Sequence, residues 1–170
     1  MDILKKIVHI LSYVCYGVIG IYALICAPMI LGSKPVVVLT GSMRPTYNEG
    51  TIIYYKPVPQ EEIAVGDAVT YQLNEVLVTH RVKRIENGNY ITQGDNNNTE
   101  DSKPVPYSAV QGKVGGLAIP LLGFGVQFIN EHMWVFAIFV AILVAEFLLS
   151  NIKSGKISTS KKGHKDEKEK

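Results

Sequence analysis

The sequence predicts a mainly β protein, a small curled antiparallel sheet or partial barrel placed between two transmembrane helices. Three observations lead there. Residues 7–31 and about 133–149 form two apolar runs, the first carrying one ionisable residue, His9, and the second broken only by Glu146. From Lys34 to Gly115, β-branched and aromatic segments alternate with clusters of Gly, Asn and Asp and show no helical periodicity. Positive charge gathers outside the two apolar runs rather than between them.

A helix needs about 20 apolar residues to cross the bilayer core. The 25 residues from Ile7 to Leu31 exceed that, and the second run is shorter but adequate. Two buried helices of a soluble protein fit poorly, because the first run lacks polar relief. A removable signal peptide fits poorly too: its apolar core spans only about 7–15 residues, and Pro28 follows the one small-residue site at Ala27. The first run reads as an uncleaved anchor.

The chain divides into a cytoplasmic N-terminus (1–6), an anchor helix (7–32), an extracytoplasmic β domain (33–117) and an interfacial segment (118–131). A second transmembrane helix (132–150) and a disordered lysine-rich tail (151–170) follow.

Lys5 and Lys6 precede the first span, and residues 151–170 hold seven lysines against three acidic residues. Residues 33–130 hold eight Lys and Arg against nine Asp and Glu. The positive-inside rule then places both termini in the cytoplasm and the middle outside. That is a multi-pass protein of the cell membrane, or of the endoplasmic reticulum membrane in a eukaryote. The net charge of +2 gives no reason to invoke nucleic acid. Cys15 and Cys26 lie eleven residues apart in the anchor. That is about three helical turns, too far to bridge, so both read as small packing residues.

Strands are expected at Pro35–Leu39, Thr51–Lys56, Asp67–Gln72, Val76–Ile85, Asn89–Thr92 and Ala109–Val114. Asn87-Gly88 between two such segments is the strongest hairpin signal in the chain. Leu117 to Phe128 is apolar but interrupted by Pro120, Gly123 and Gly125. It is too short and broken to span, and reads as an interfacial lead into the second helix. A core of about 80 residues is modest, so the spans help to hold it.

Three stretches carry residues suited to chemistry. In VVVLTGSMRPT, Val36 to Thr46, extended β-branched residues run into Gly41-Ser42-Met43-Arg44-Pro45. Gly41 permits backbone angles a side chain would forbid, and Pro45 keeps Arg44 out of the helical region. The resulting bend presents the Ser42 hydroxyl, a nucleophile if a base reaches it; the common role of such a serine is to bond its own backbone. In VLVTHRVKRI, alternation places Val76, Val78, His80 and Val82 on one face, with Leu77, Thr79, Arg81 and Lys83 on the other. His80 is then either a satisfied core histidine or a general base, and Arg81 points away from it.

The third stretch runs from Gly94 to Asp101. A calcium loop of the EF-hand kind would need Gly where Glu100 stands and Glu where Pro106 stands. Asn97-Asn98-Thr99 matches a glycosylation sequon, although a glycan there would obstruct any site the loop lines. The loop is either a plain Asx-rich turn or the source of a carboxylate, Asp95 or Asp101, that orients His80. No metal or organic cofactor is called for.

Together the three stretches resemble the type I signal peptidases: a serine box (Thr40-Gly41-Ser42-Met43-Arg44-Pro45), a strand with a His-Arg pair (Thr79-His80-Arg81-Val82), and Gly94-Asp95-Asn96-Asn97 followed by Asp101. Gly66-Asp67 matches a further box, and the stretch from Gly112 to Phe124 resembles the family's closing strand and turn. The resemblance covers about Val36 to Phe124. The common bacterial members have a lysine base, whereas the endoplasmic-reticulum-like branch, found also in archaea and some spore-forming bacteria, has histidine; this chain has His80. The resemblance implies Ser42 as nucleophile, His80 as general base, Asp101 as the triad acid and Asp95 as a nearby supporting carboxylate. It implies an oxyanion hole made of the Ser42 amide and the Thr40 hydroxyl. It also implies membrane-tethered preproteins as substrates, with small residues at −1 and −3, possible subunit partners, and the lipid bilayer as setting.

Two other readings stand beside this one: a catalytically idle membrane-anchored β module that binds exported chains, and a peptidase of the same chemistry dedicated to one substrate. Antiparallel spans also place His9 and Glu146 near the same membrane face, where intramembrane ionisable groups usually find a partner. The two residues are expected to face each other.

Overall fold

In the computed structural model, residues 2–166 are described, with side chains described for 3–151. The expectation of a disordered lysine-rich tail falls beyond residue 151, outside those described side chains. The chain forms two units, one of residues 1–23 and 131–170 and the other of residues 24–130.

The first unit holds most of α1 (Asp2–Cys26) and all of α3 (Met133–Asp166). Two stretches, Ile3–Leu31 and Met133–Asn151, are long and apolar enough to cross a membrane. Their side chains are mostly exposed, as helices facing lipid would be. The polar exceptions meet. Glu146 accepts hydrogen bonds from His9 Nδ1 at 3.2 Å and from the Tyr16 hydroxyl at 3.3 Å. The Ser12 hydroxyl donates to the His9 carbonyl at 2.9 Å and is fully buried. His9, Ser12 and Tyr16 are spaced to share a helix face.

The second unit opens where α1 ends. Pro28 lacks the amide a longer α-helix would use, so the chain tightens into a 3₁₀ turn over Ala27–Leu31. Gly32, at φ 82°, closes it by donating its amide to Met29 O. Seven strands follow: β1 (Lys34–Val37), β2 (Ile52–Lys56), β3 (Ala68–Leu73), β4 (Val76–Glu86), β5 (Asn89–Gln93), β6 (Val105–Pro106) and β7 (Val110–Ile119). They form one open antiparallel sheet in the order β1-β2-β7-β3-β4-β5-β6. Asn87 and Gly88 both have positive φ, 49° and 76°, as the tight hairpin between β4 and β5 demands.

Two elements differ from the sequence reading. β7 continues past Val114 to Ile119, because Ala118 and Ile119 pair with Ile53 and Ile52. The ladder shifts register between Ile53 and Tyr55, which absorbs Gly115 and Gly116 as a bulge. The interfacial segment therefore begins as strand and then becomes α2 (Leu122–Glu131). The start of α2 is fixed by the Gly123 amide donating to the Gly50 carbonyl at 2.9 Å. The second difference is β6, a two-residue edge strand whose Pro106 is tolerated because nothing pairs beyond it.

The core lies under β3, β4 and β5: Ile63, Val69, Tyr71, Val82, Tyr90 and Val105 pack together. A second cluster joins Ile25 to Ile52 and Tyr54, and the Tyr54 hydroxyl donates to the Ile25 carbonyl at 2.7 Å. The last turn of α1 is thus packed on β2.

Candidate active site

β1 is prolonged by single bonds, Val38 N–H to Thr51 O and Gly50 N–H to Val38 O, both 2.9 Å. Thr40 is still extended, and Gly41–Met43 then make one 3₁₀ turn. Arg44 returns to extended backbone, φ −65° and ψ 149°, as a residue preceding proline should. Met43, only 1% exposed, anchors the turn from below. Gly41 is not a left-handed residue: the positive-φ glycines are Gly32, Gly50, Gly66 and Gly88. Its freedom is spatial instead, because a Cβ there would lie 3.0 Å from Glu49 Oε1 and 3.3 Å from Arg44 Nε.

His80 lies in mid-β4 opposite Val69, on the same face as the buried Val82, and is 9% exposed. The Ser42 hydroxyl lies 3.2 Å from His80 Nε2. On the other side of the ring, His80 Nδ1 lies 2.6 Å from Asp101 Oδ2. A carboxylate only accepts, so Nδ1 carries the proton and Nε2 is left to accept from Ser42. Residues 42, 80 and 101 thus form a continuous chain, hydroxyl to imidazole to carboxylate. Thr40 Oγ1 lies 3.3 Å from Ser42 Oγ.

Asp95 has different partners. Arg81 grips it with two parallel bonds, Nε to Oδ1 at 2.7 Å and Nη2 to Oδ2 at 2.6 Å, and the Thr46 hydroxyl donates to Oδ2 at 2.6 Å. The Arg81 hydrogen bonds hold the Asp95 carboxyl below the usual range against the opposing effect of burial, and Thr46 adds to them. Arg81 Nη1 also donates to Gly66 O at 2.7 Å. Arg81 therefore faces away from His80, as alternation predicts, and ties the serine loop, β4 and the Gly66 turn together.

The loop from Gly94 also holds the serine by its backbone. Asn96 N–H donates to the Ser42 carbonyl at 2.8 Å.

Two residues of the cluster escaped the sequence reading. The Thr92 hydroxyl donates to Asp101 Oδ2 at 2.6 Å, and the Tyr71 hydroxyl donates to the same oxygen at 3.1 Å. Both side chains are buried, at 0% and 3% exposure. Burial pushes the Tyr71 phenol up to about 12 and the Asp101 charge adds to the rise, while the Thr92 contact opposes it. Strand register carried the missing signal: Val69 pairs with His80 and Val82 with Thr92, so β3, β4 and β5 present one face together. Among the described residues no group of three or more His, Cys, Asp and Glu side chains is placed to hold a metal ion.

No family model matches the chain. Among curated proteins it is 31% identical over 157 residues to the signal peptidase complex catalytic subunit SEC11 of Plasmodium falciparum (isolate 3D7), covering 83% of this chain and 84% of that one. It is 34% identical over 99 residues to signal peptidase I W of Bacillus subtilis (strain 168), covering 55% of this chain and 52% of the relative. The chain thus spans about half the length of that Bacillus relative. It is 28% identical over 124 residues to the SEC11 catalytic subunit of Metarhizium robertsii (strain ARSEF 23 / ATCC MYA-3075), covering 65% and 72%.

Proposed function

The chain belongs to the type I signal peptidases, and on that premise we propose that it is a membrane-bound serine endopeptidase that removes signal peptides from exported preproteins, with Ser42 as nucleophile and His80 as general base. The observation that carries this reading is the pair of contacts on one imidazole, Ser42 Oγ at 3.2 Å from Nε2 and Asp101 Oδ2 at 2.6 Å from Nδ1.

Ser42 Oγ attacks the scissile carbonyl carbon while its proton passes to His80 Nε2. Asp101 keeps the second ring proton on Nδ1 and stabilises the imidazolium that forms. The carbonyl oxygen becomes an oxyanion and is met by the Ser42 amide and the Thr40 hydroxyl; losing one such donor typically costs about 10²–10³ in rate. Collapse breaks the C–N bond, and the leaving amine takes the proton from Nε2. Water then attacks the ester carbonyl carbon as His80 Nε2 takes its proton; the C–O bond to Ser42 breaks, Ser42 Oγ takes the proton back from Nε2, and the signal peptide leaves as a carboxylic acid. Asp95 supports the site by fixing Arg81 and Thr46.

The substrate is itself tethered to the bilayer, so anchoring enzyme and substrate to one surface raises their effective concentration. Ser42 follows Gly32 by ten residues, which limits its distance from the end of the anchor to about 33 Å. The lysine distribution supports a topology with both termini in the cytoplasm and residues 33–130 outside.

The purified full chain in detergent, given a preprotein, tests the reading. Wild type should release the signal peptide, and Ser42→Ala and His80→Ala should fall to background. Full activity in Ser42→Ala ends the nucleophile assignment, and inactivity of a folded wild-type chain on every preprotein offered ends the reading of the isolated chain as a working peptidase.

A further inference from the structure

The hydroxyls of Tyr71 and Thr92 converge on Asp101 Oδ2, the same oxygen that receives His80 Nδ1. We propose that Tyr71 and Thr92 are positioning residues of the peptidase, a two-hydroxyl clamp that fixes the rotation of the Asp101 carboxylate and through it the orientation of His80. The inference rests on the assignment of Ser42 and His80 made above.

Asp101 lies beyond the end of β5, attached to it by one backbone bond, its amide donating to Thr92 O at 2.8 Å. That bond fixes the backbone but leaves the carboxylate free to turn about the bond joining it to Cβ. A turned carboxylate offers His80 the wrong oxygen, and an imidazole without its partner can rotate Nε2 away from Ser42. Three donors meeting on one oxygen restrict this freedom, because a turn of the carboxylate disturbs an arrangement that all three share. The two hydroxyls suit the task because they cannot move. Thr92 is β-branched, restricted about its first side-chain torsion, and fully buried in β5. Tyr71 is held in β3, its ring meeting the His80 ring edge-on at a centroid distance of 6.4 Å.

Donor assignment is forced. Each hydroxyl carries one proton. Thr92 lies 2.6 Å from the carboxylate and 3.3 Å from Tyr71 Oη, so its proton goes to Asp101. Tyr71 Oη lies 3.1 Å from the carboxylate and 3.5 Å from His80 Nδ1, whose own proton is already directed at Asp101. The phenol, pushed up to about 12, stays protonated across the working range, so Tyr71 acts as a donor and not as a second base.

The test measures kcat and KM for preprotein cleavage by the full chain in detergent, for Tyr71→Phe, Thr92→Val, Thr92→Ser and the double variant Tyr71→Phe/Thr92→Val, each also in an Asp101→Ala background. Each hydroxyl deletion should lower kcat about 5- to 30-fold and leave KM within about twofold. Thr92→Ser, which keeps the hydroxyl, should recover most of the loss. In the Asp101→Ala background the same deletions should cost nothing further, since there is no carboxylate left to hold. A purely structural role predicts the opposite: equal losses in both backgrounds, tracking thermal stability. That result overturns the clamp, as does wild-type kcat in both Tyr71→Phe and Thr92→Val. If Thr92→Val fails to fold, the Tyr71→Phe cycle decides alone. Failure of this inference leaves Ser42→Ala inactive, whereas failure of the underlying assignment leaves Ser42→Ala active.

Discussion

Gly94 passes so close to the Ser42 carbonyl that a Cβ at residue 94 would lie 2.6 Å from that oxygen. The nearest atom is backbone, with the Asn97 side chain next at 2.9 Å, so an added methyl must push the two loops apart. Gly94→Ala should therefore displace Ser42 while leaving the sheet intact. A misplacement of about 1 Å at a reacting atom costs on the order of 10²-fold in rate. Cleavage kinetics beside a far-ultraviolet circular dichroism spectrum check this, and a variant of normal activity would show that the loops yield without moving Ser42.

The two carboxylates of the loop should separate in their effects. Asp101→Asn leaves a side chain of the same shape but lets His80 hold its proton on the wrong nitrogen. A fall in kcat on the order of 10⁴ with little change in melting temperature is expected. Asp95→Asn breaks the grip on Arg81 and should act mainly on stability, by about 1.5–3 kcal/mol. Kinetics and thermal melts of both variants decide it; the reverse pattern would exchange the two roles.

Stability at low pH follows from Asp95. Its folded pKa is depressed, chiefly by the Arg81 hydrogen bonds. Its contribution is complete above the unfolded aspartate value of about 3.9 and is lost as pH falls through the lower folded value. Denaturant unfolding from pH 7 down to pH 2 should therefore show a steeper acid decline in wild type than in Asp95→Asn. Parallel curves would remove Asp95 from the acid limb.

In the first unit, Glu146 gathers His9 and Tyr16. With Cys15 and Cys26 replaced by alanine, His9→Cys paired with Glu146→Cys should crosslink under mild oxidation in membranes. The same cysteine at Glu146 paired with one at Leu11, on another face of α1, should not. Equal yields would mean that the helices have no fixed facing.

Much of this was legible in the sequence because local chemistry and global need agree. Asn87-Gly88 is a turn wherever it stands between strands, and alternation alone put His80 on the apolar face with Arg81 behind it. The serine box was readable from Pro45, whose constraint on Arg44 is purely local. What stayed hidden depends on partners distant in sequence. Gly41 has the Glu49 and Arg44 side chains close beside it and no positive φ, and neither can be read from the serine box alone. β7 runs to Ile119 because β2 offers it Ile52, and nothing within the apolar run from Leu117 marks that pairing. Thr92 and Tyr71 look like ordinary strand residues until the register of three strands is known.

The segment from Gly94 to Asp101 holds the Ser42 carbonyl through the Asn96 amide and the His80 ring through Asp101, with Asp95 bolted to Arg81 just before both. It works as a gauge of fixed length. A residue inserted between Asp95 and Asn96 falls between two of these holding points, where it has less room than in the exposed stretch Asn98–Glu100. Such a change should throw the serine out of line, so the step from Asp95 to Asn96 should tolerate altered side chains far better than altered spacing.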